Sequence, residues 1–152
     1  MSQVGVREHG ANAGPDVEKY IRFVGSPPGS AWCSCFVSWC FRQAAILTAR
    51  FGRARSWSDA RHDVWRAGRQ LPGRPPPQQA DVVMYTWGHP DICHVGFLDV
   101  WGTGPACQTV EGNTSGGKQS RDGDGVYVNW RLKRMVAAVA NVVDDPTYTH
   151  RE

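Results

Sequence analysis

The chain lacks several things that would set its class at once. No apolar run approaches the roughly 20 residues of a membrane-spanning helix, so no insertion in a membrane is expected. The opening MSQVGVREHG has no basic stretch leading into an apolar one, and the expectation is a protein made in a cytoplasm without a secretory leader. The five cysteines, at 33, 35, 40, 93 and 107, are an odd number and cannot all pair. Without a leader, a disulfide framework is not expected, and at least one thiol should be free. Charge is not lopsided either. The net value is +3, mostly from arginines in RFGRAR (50–55), at 61, 66, 69 and 74, and in RLKR (131–134). That modest excess suits a solvated surface or an anionic partner. No nucleic-acid reading motif accompanies it, and no nucleic-acid partner is expected.

What is present is ordinary for a folded domain: 152 residues, 41% hydrophobic and 20% charged. This is enough chain for one core without staples. The expectation is a single domain over residues 1–145, a C-terminal tail over 146–152 with fraying from DDPTYTHRE (144–152), and a monomer. Residues 3–8 and 15–24 read as short helices. The second has Pro15 at its start, Gly25 at its stop, and Val17, Tyr20, Ile21 and Val24 on one face. SPPGS (26–30) breaks the chain. AWCSCFVSWCFRQAAIL predicts a buried helix from about 31 to 47. Residues 56–68 predict another, with Trp57, Ala60, Val64 and Trp65 on one face. The proline-rich stretch 71–79 reads as an extended connector.

Beyond residue 80 the period changes. DVVMYTW, HVGFLDVW, CQTVEG, GVYVNW and MVAAVANVV read as strands between turns. Helices first and strands later predict an α+β domain, N-terminal helices packed on a small antiparallel sheet.

Cys33 falls at the N-terminus of the buried helix. There the helix dipole and unpaired backbone N–H groups stabilise a thiolate. The same N–H groups can hold an oxyanion. His94 opens a strand and can serve as general base. Glu111 and Asn113 close the next strand, where either can orient the imidazole. Taken by residue type, Cys33 reads equally as a small buried hydrophobe. A zinc site is disfavoured, because Cys-x-Cys-x4-Cys on one helix scatters its thiols around the axis, and no metal or other cofactor is expected. His62, on a polar helix face, and His89, in a loop, read as surface histidines. Trp39, Trp57, Trp65 and Trp130 sit on apolar faces and read as core, while Trp32 and Trp87 are placed along the cleft as substrate-binding residues. DGDG (122–125) reads as a tight turn rather than a calcium loop.

Three motifs then carry a resemblance. AWCSCFVSWC resembles the nucleophile motif of the CHAP family of papain-like, NlpC-like amidases and endopeptidases: Trp-Cys, two small residues, then Phe-Val-Ser-Trp. ADVVMY and HVGFLDV resemble the family's Gly-Asp-Val-Val and His-Val-Gly strands, and TVEGNTSGG its Glu-Gly-Asn-Thr-Ser segment. VGVREHGANAGPDVEKYIRFVG and DGDGVYVNWR are similar to a phage-associated subset of small hydrolases. The resemblance implies a papain-like cysteine hydrolase acting on bacterial peptidoglycan, an endolysin that reaches the wall after release. It implies Cys33 as nucleophile, His94 as base, Glu111 as the residue orienting it, and Asn113 as a further polar member. Cys35 stands where the family has a small residue, and helical geometry turns it about 200° from Cys33. Cys93 stands where Gly often precedes the histidine, and is expected near Cys33. A non-catalytic wall-binding module and an antibacterial effector with the same chemistry are the alternatives.

Overall fold

A computed structural model describes residues 2–116 and 123–148. It has two α-helices, α1 (Pro15–Val24) and α2 (Cys33–Gln43), and seven strands. The strands are β1 (Asp63–Arg66), β2 (Arg69–Gln70), β3 (Val82–Tyr85), β4 (His94–Val100), β5 (Ala106–Thr114), β6 (Gly125–Leu132) and β7 (Val136–Ala140). They form one sheet in the order β2-β1-β7-β3-β4-β5-β6, with every pairing antiparallel. The fold is the α+β class expected.

Helix α1 follows its signals. Pro15 opens it, and Gly25 closes it in the left-handed region at φ 84°. The Gly25 N–H reaches the Arg22 carbonyl, and the Ser26 N–H reaches that of Ile21, the paired bonds of a Schellman stop. Val17, Tyr20 and Ile21 are buried along one face. Helix α2 ends at Gln43, short of residue 47. Ala45 takes the left-handed conformation at φ 59°, and Ile46 folds back to donate its N–H to the Phe41 carbonyl. This places the Ile46 side chain in the core. A left-handed alanine costs about 1 kcal/mol, which burial of one isoleucine offsets.

Two expected helices are absent. Residues 3–8 make a turn at Val4 and Gly5, closed by Val6 N–H to Gln3 O, and pair with the start of β6 through Gly5 N–H to Val126 O, Val126 N–H to Val6 O and Glu8 N–H to Asp124 O. A Cβ on Gly125 would stand 2.4 Å from the Val6 carbonyl oxygen, so this close approach needs glycine. Residues 56–68 contain the end of a short 3-10 turn (Ala54–Trp57), a loop, and β1. Ala67 and Gly68, at φ 50° and 84°, then turn the chain into β2, and two consecutive left-handed residues are what a tight hairpin requires. The apolar residues that seemed to share one helical face serve two layers. Trp57 packs with Phe41 and Phe51 under α2. Val64 and Trp65 cover the opposite side of the sheet.

The sheet thus separates two apolar clusters. The larger holds α1, α2, Val82, Met84, Val95 and Ala138. The smaller holds Val64, Val83, Tyr85, Leu98, Cys107 and Val139, with Trp65, Trp87 and Trp101 against it. Trp39, Trp57 and Trp65 belong to these clusters. Trp130 does not. It is 64% exposed, because β6 is the last strand of the sheet and Trp130 lies opposite Gln108 with no helix above it. The segment 144–148 is also not frayed: the Leu47 N–H bonds Tyr148 O, and Asp145 is buried against Arg61 and His62. Residues 149–152 and Asp122 of the DGDG run lie outside the described residues.

Candidate active site

Cys33 is the first residue of α2, and Trp32 before it makes no side-chain cap. The first intrahelical bond runs from Phe36 N–H to Trp32 O. The N–H groups of the first turn therefore point out of the helix end beside the thiol. Side-chain hydrogen bonds fix that end. Trp32 Nε1 donates to Glu8 Oε1 at 2.7 Å. Trp57 Nε1 donates to Ser34 Oγ at 2.8 Å. Ser34 and Ser38 both donate to the Phe51 carbonyl. Trp32 is completely buried and stacks on Tyr20. It has no face to offer a substrate, and its expected place in the cleft is corrected to that of an anchor for the helix start.

His94 is the first residue of β4 and is fully buried. Its ring lies beside the Cys33 sulfur. Its Nε2 makes an ion-pair contact with Glu111 Oε1 at 3.0 Å, which leaves Nδ1 as the nitrogen for the thiol. Trp87 stacks on the imidazole with centroids 4.4 Å apart and planes 19° apart. Tyr85, paired with His94 across β3 and β4, closes a further side at 5.9 Å.

Glu111 lies on β5 with no exposure. Its side chain crosses Gly96 of β4, where a Cβ would meet Glu111 Cγ at 2.6 Å. The His-Val-Gly strand thus supplies both the imidazole and the gap through which the carboxylate reaches it. The second oxygen, Oε2, accepts bonds from Arg131 Nε at 2.9 Å, Asn129 Nδ2 at 3.0 Å and Thr109 Oγ1 at 3.0 Å. Asn113 is also fully buried. It takes φ 53° where β5 slips register against β6. Just before it, Gly112 faces the Phe36 ring of α2 at a distance that excludes a Cβ.

These contacts set the charges. Burial on its own would lower the His94 pKa. The Cys33 sulfur and the Glu111 carboxylate outweigh it and hold the imidazole up at about 9. Burial would raise Glu111, but His94 and Arg131 beside it bring it down to about 2. A buried site with opposite charges adjacent keeps both partners ionised across neutral pH. Such an arrangement can take a proton from a thiol, retain it, and later release it to a leaving group.

The other thiols are placed differently. Cys35 is buried toward Ser26, 3.7 Å from its hydroxyl, and burial raises its pKa. Cys93 donates to the Thr86 carbonyl at 3.1 Å within the β3–β4 connection. His89 is exposed, as expected. His62 is not: it is 6% exposed and bridges Asp59 and Asp145, because the helix expected around it is a loop folded against the C-terminal segment.

Arg131, Asn129 and Thr109 were missed as members of this cluster. The alternation Tyr127, Asn129, Arg131 along β6 is their signal. Polar side chains at period two on the strand beside Glu111 share its face, since Glu111 pairs with Tyr127 and Thr109 with Asn129. Arg131 instead reads as part of a surface charge run until the pairing is known.

A family model described as CHAP domain matches residues 25–113, more than half of the chain. The span includes Cys33, His94, Glu111 and Asn113. Comparisons with curated proteins and with solved structures give no match.

Proposed function

The chain belongs to the CHAP-domain family, and from that premise we propose that it is a cell-wall lytic cysteine amidase or endopeptidase using Cys33, His94 and Glu111. Family membership implies a peptidoglycan hydrolase of amidase type. The observation that carries the finer reading is the buried row of Cys33, His94 and Glu111, with the imidazole between the thiol and the carboxylate.

In the proposed reaction His94 takes the Cys33 proton, and the thiolate attacks an amide carbonyl of the stem peptide or cross-bridge. The N–H groups of the first turn of α2 hold the oxyanion as the tetrahedral intermediate forms. His94 then gives its proton to the departing amine, and the C–N bond breaks. Water, deprotonated by His94, hydrolyses the thioester and frees the thiol. Glu111 keeps the imidazole ring in place throughout, and Asn113 is a further polar member. Trp87, half-buried and stacked on His94, would border the bound peptide. The likeness of residues 4–25 and of DGDGVYVNWR to phage-associated hydrolases supports an endolysin, made in a host cytoplasm and acting at the wall on release.

Cys33→Ala should reduce clearing of purified cell walls by at least 1,000-fold (an order of magnitude drawn from catalytic-unit deletions) with an unchanged fold by circular dichroism. Clearing at the wild-type rate would overturn the assignment. Mass spectrometry of the fragments would name the bond: new amino groups on alanine, on glycine or on a diamino acid each mark a different cleavage.

A further inference from the structure

The family model ends at residue 113, yet the carboxylate at its far edge is held by a residue well beyond it. Arg131 lies on β6, 4% exposed. Its Nε donates to Glu111 Oε2 at 2.9 Å, and one terminal nitrogen donates to Thr114 Oγ1 at 3.2 Å. The guanidinium carbon is 5.0 Å from the centre of the Trp87 ring and 5.9 Å from that of Tyr85. Both rings also stack on or tilt against His94. The same two aromatic side chains therefore confine the cation on one side of Glu111 and the imidazole on the other.

We propose that Arg131 is a positioning residue for the reaction: its forked guanidinium fixes Glu111 Oε2 so that Oε1 stays on His94 Nε2, and its charge limits how tightly that carboxylate holds the imidazolium proton. This rests on the reading of Cys33, His94 and Glu111 given above. The physical case has two parts. A glutamate has three rotatable bonds, and a carboxylate tied at one oxygen alone can swing away from the histidine. Arg131, Asn129 and Thr109 tie the other oxygen from two strands, so Oε1 has one position. The charges then alternate from imidazolium to carboxylate to guanidinium. An unbalanced Glu111 in a dry site would bind the His94 proton more strongly and slow its transfer to the leaving amine. Arginine suits the place because its planar fork bonds and stacks at once, which a lysine cannot do.

Two variants test this, with turnover measured as amino groups released from purified peptidoglycan and Cys33 alkylation by iodoacetamide followed across pH 5–10 (a range chosen to span, roughly, the titration of imidazole and thiol). Arg131→Met should lower kcat about tenfold or more, as expected of groups that orient a catalytic partner, with KM little changed. The alkaline limb of the pH profile should move up by about half a unit or more, and the transition in Cys33 alkylation with it. Arg131→Lys, which keeps the charge and loses the fork, should leave the limb in place and lower kcat several-fold. Wild-type kcat in either folded variant overturns the proposal. So does a loss of activity in Arg131→Met that follows the loss of folded protein while the limb stays put. If Arg131→Met does not fold, the kcat of Arg131→Lys decides. Should the wild-type protein release no amino groups, the functional reading fails instead, and the alkylation profiles still report on Arg131.

Discussion

Among the described residues, two buried histidines contact carboxylates, and His94 is the one that lies beside a thiol. His94 touches Glu111 through Nε2 at 3.0 Å and lies beside the Cys33 sulfur. His62 places Nδ1 2.8 Å from Asp59 and Nε2 2.7 Å from Asp145. With both nitrogens on carboxylates, His62 has no nitrogen left to accept a proton from a nucleophile. It ties residue 145 near the end of the chain to the loop before β1, and Tyr148 stacks on it at 5.6 Å. Burial and a carboxylate partner are therefore common to a clamp and to a base. What separates them is the second nitrogen, and whether it faces a helix N-terminus bearing a thiol.

The comparison breaks most clearly by substituting each histidine in turn. His94→Gln should lower the rate of wall hydrolysis by about 1,000-fold or more. His62→Gln should leave kcat within about twofold and lower the melting temperature, because it removes the buried ring that bridges Asp59 and Asp145. Turnover on purified walls and thermal unfolding check both. Reversed outcomes would exchange the two roles.

A finer cut lies within the proposed site. Glu111→Gln keeps the shape, removes the charge on His94, and leaves Arg131 facing a neutral amide. It should cost about 100-fold or more in kcat. Asn113→Ala should cost less than Glu111→Gln, because the carboxylate is the group seen on the imidazole. If Asn113→Ala proves the more damaging of the two, Glu111 is a structural ion pair and Asn113 the orienting group.

Much of this site was legible in the chain. The start of α2 at Cys33, the strand opening at His94 and the strand carrying Glu111 all follow from local pattern. So does the direction of Cys35, since a helix turns its second residue away. The clamp was not legible. His62 looked like a surface residue because Trp57, Ala60, Val64 and Trp65 recur at helical spacing, while in the fold Trp57 and Val64 lie on opposite sides of the sheet. Periodicity reports which residues are apolar and not which layer they enter. Arg131 and Trp130 failed for a related reason. They are neighbours on β6, one buried on Glu111 and the other exposed, and only the position of β6 at the sheet edge decides which face is covered. Trp32 looked available because it precedes the nucleophile, yet Glu8, from a segment read as helix, holds it inside.

The smallest expected difference concerns acid. Burial opposes ionisation of Asp59 and Glu111, and the adjacent histidines outweigh it, so both carboxylates fall below their usual range, Glu111 to about 2. Asp145 is lowered as well, first by the Thr147 N–H and then by His62. A depressed carboxylate contributes stability that is fully present above its unfolded pKa, 3.8 for aspartate and 4.5 for glutamate here, and is lost as pH falls toward the folded value. The wild-type protein should therefore lose stability steadily from about pH 5 to pH 2. His62→Gln removes the imidazole from Asp59 and Asp145 and leaves Glu111 untouched. Its stability should start lower at pH 7 and fall less over the same range, so that the two curves converge in acid. Denaturant unfolding at pH 7, 5, 4 and 3, a series set by the ordinary carboxylate range of roughly 3.9 to 4.3, measures the convergence. Parallel curves would mean that His62 packs between its aspartates without carrying charge, and the clamp would then be held by Arg61 on Asp145 and by the Tyr148 stack alone.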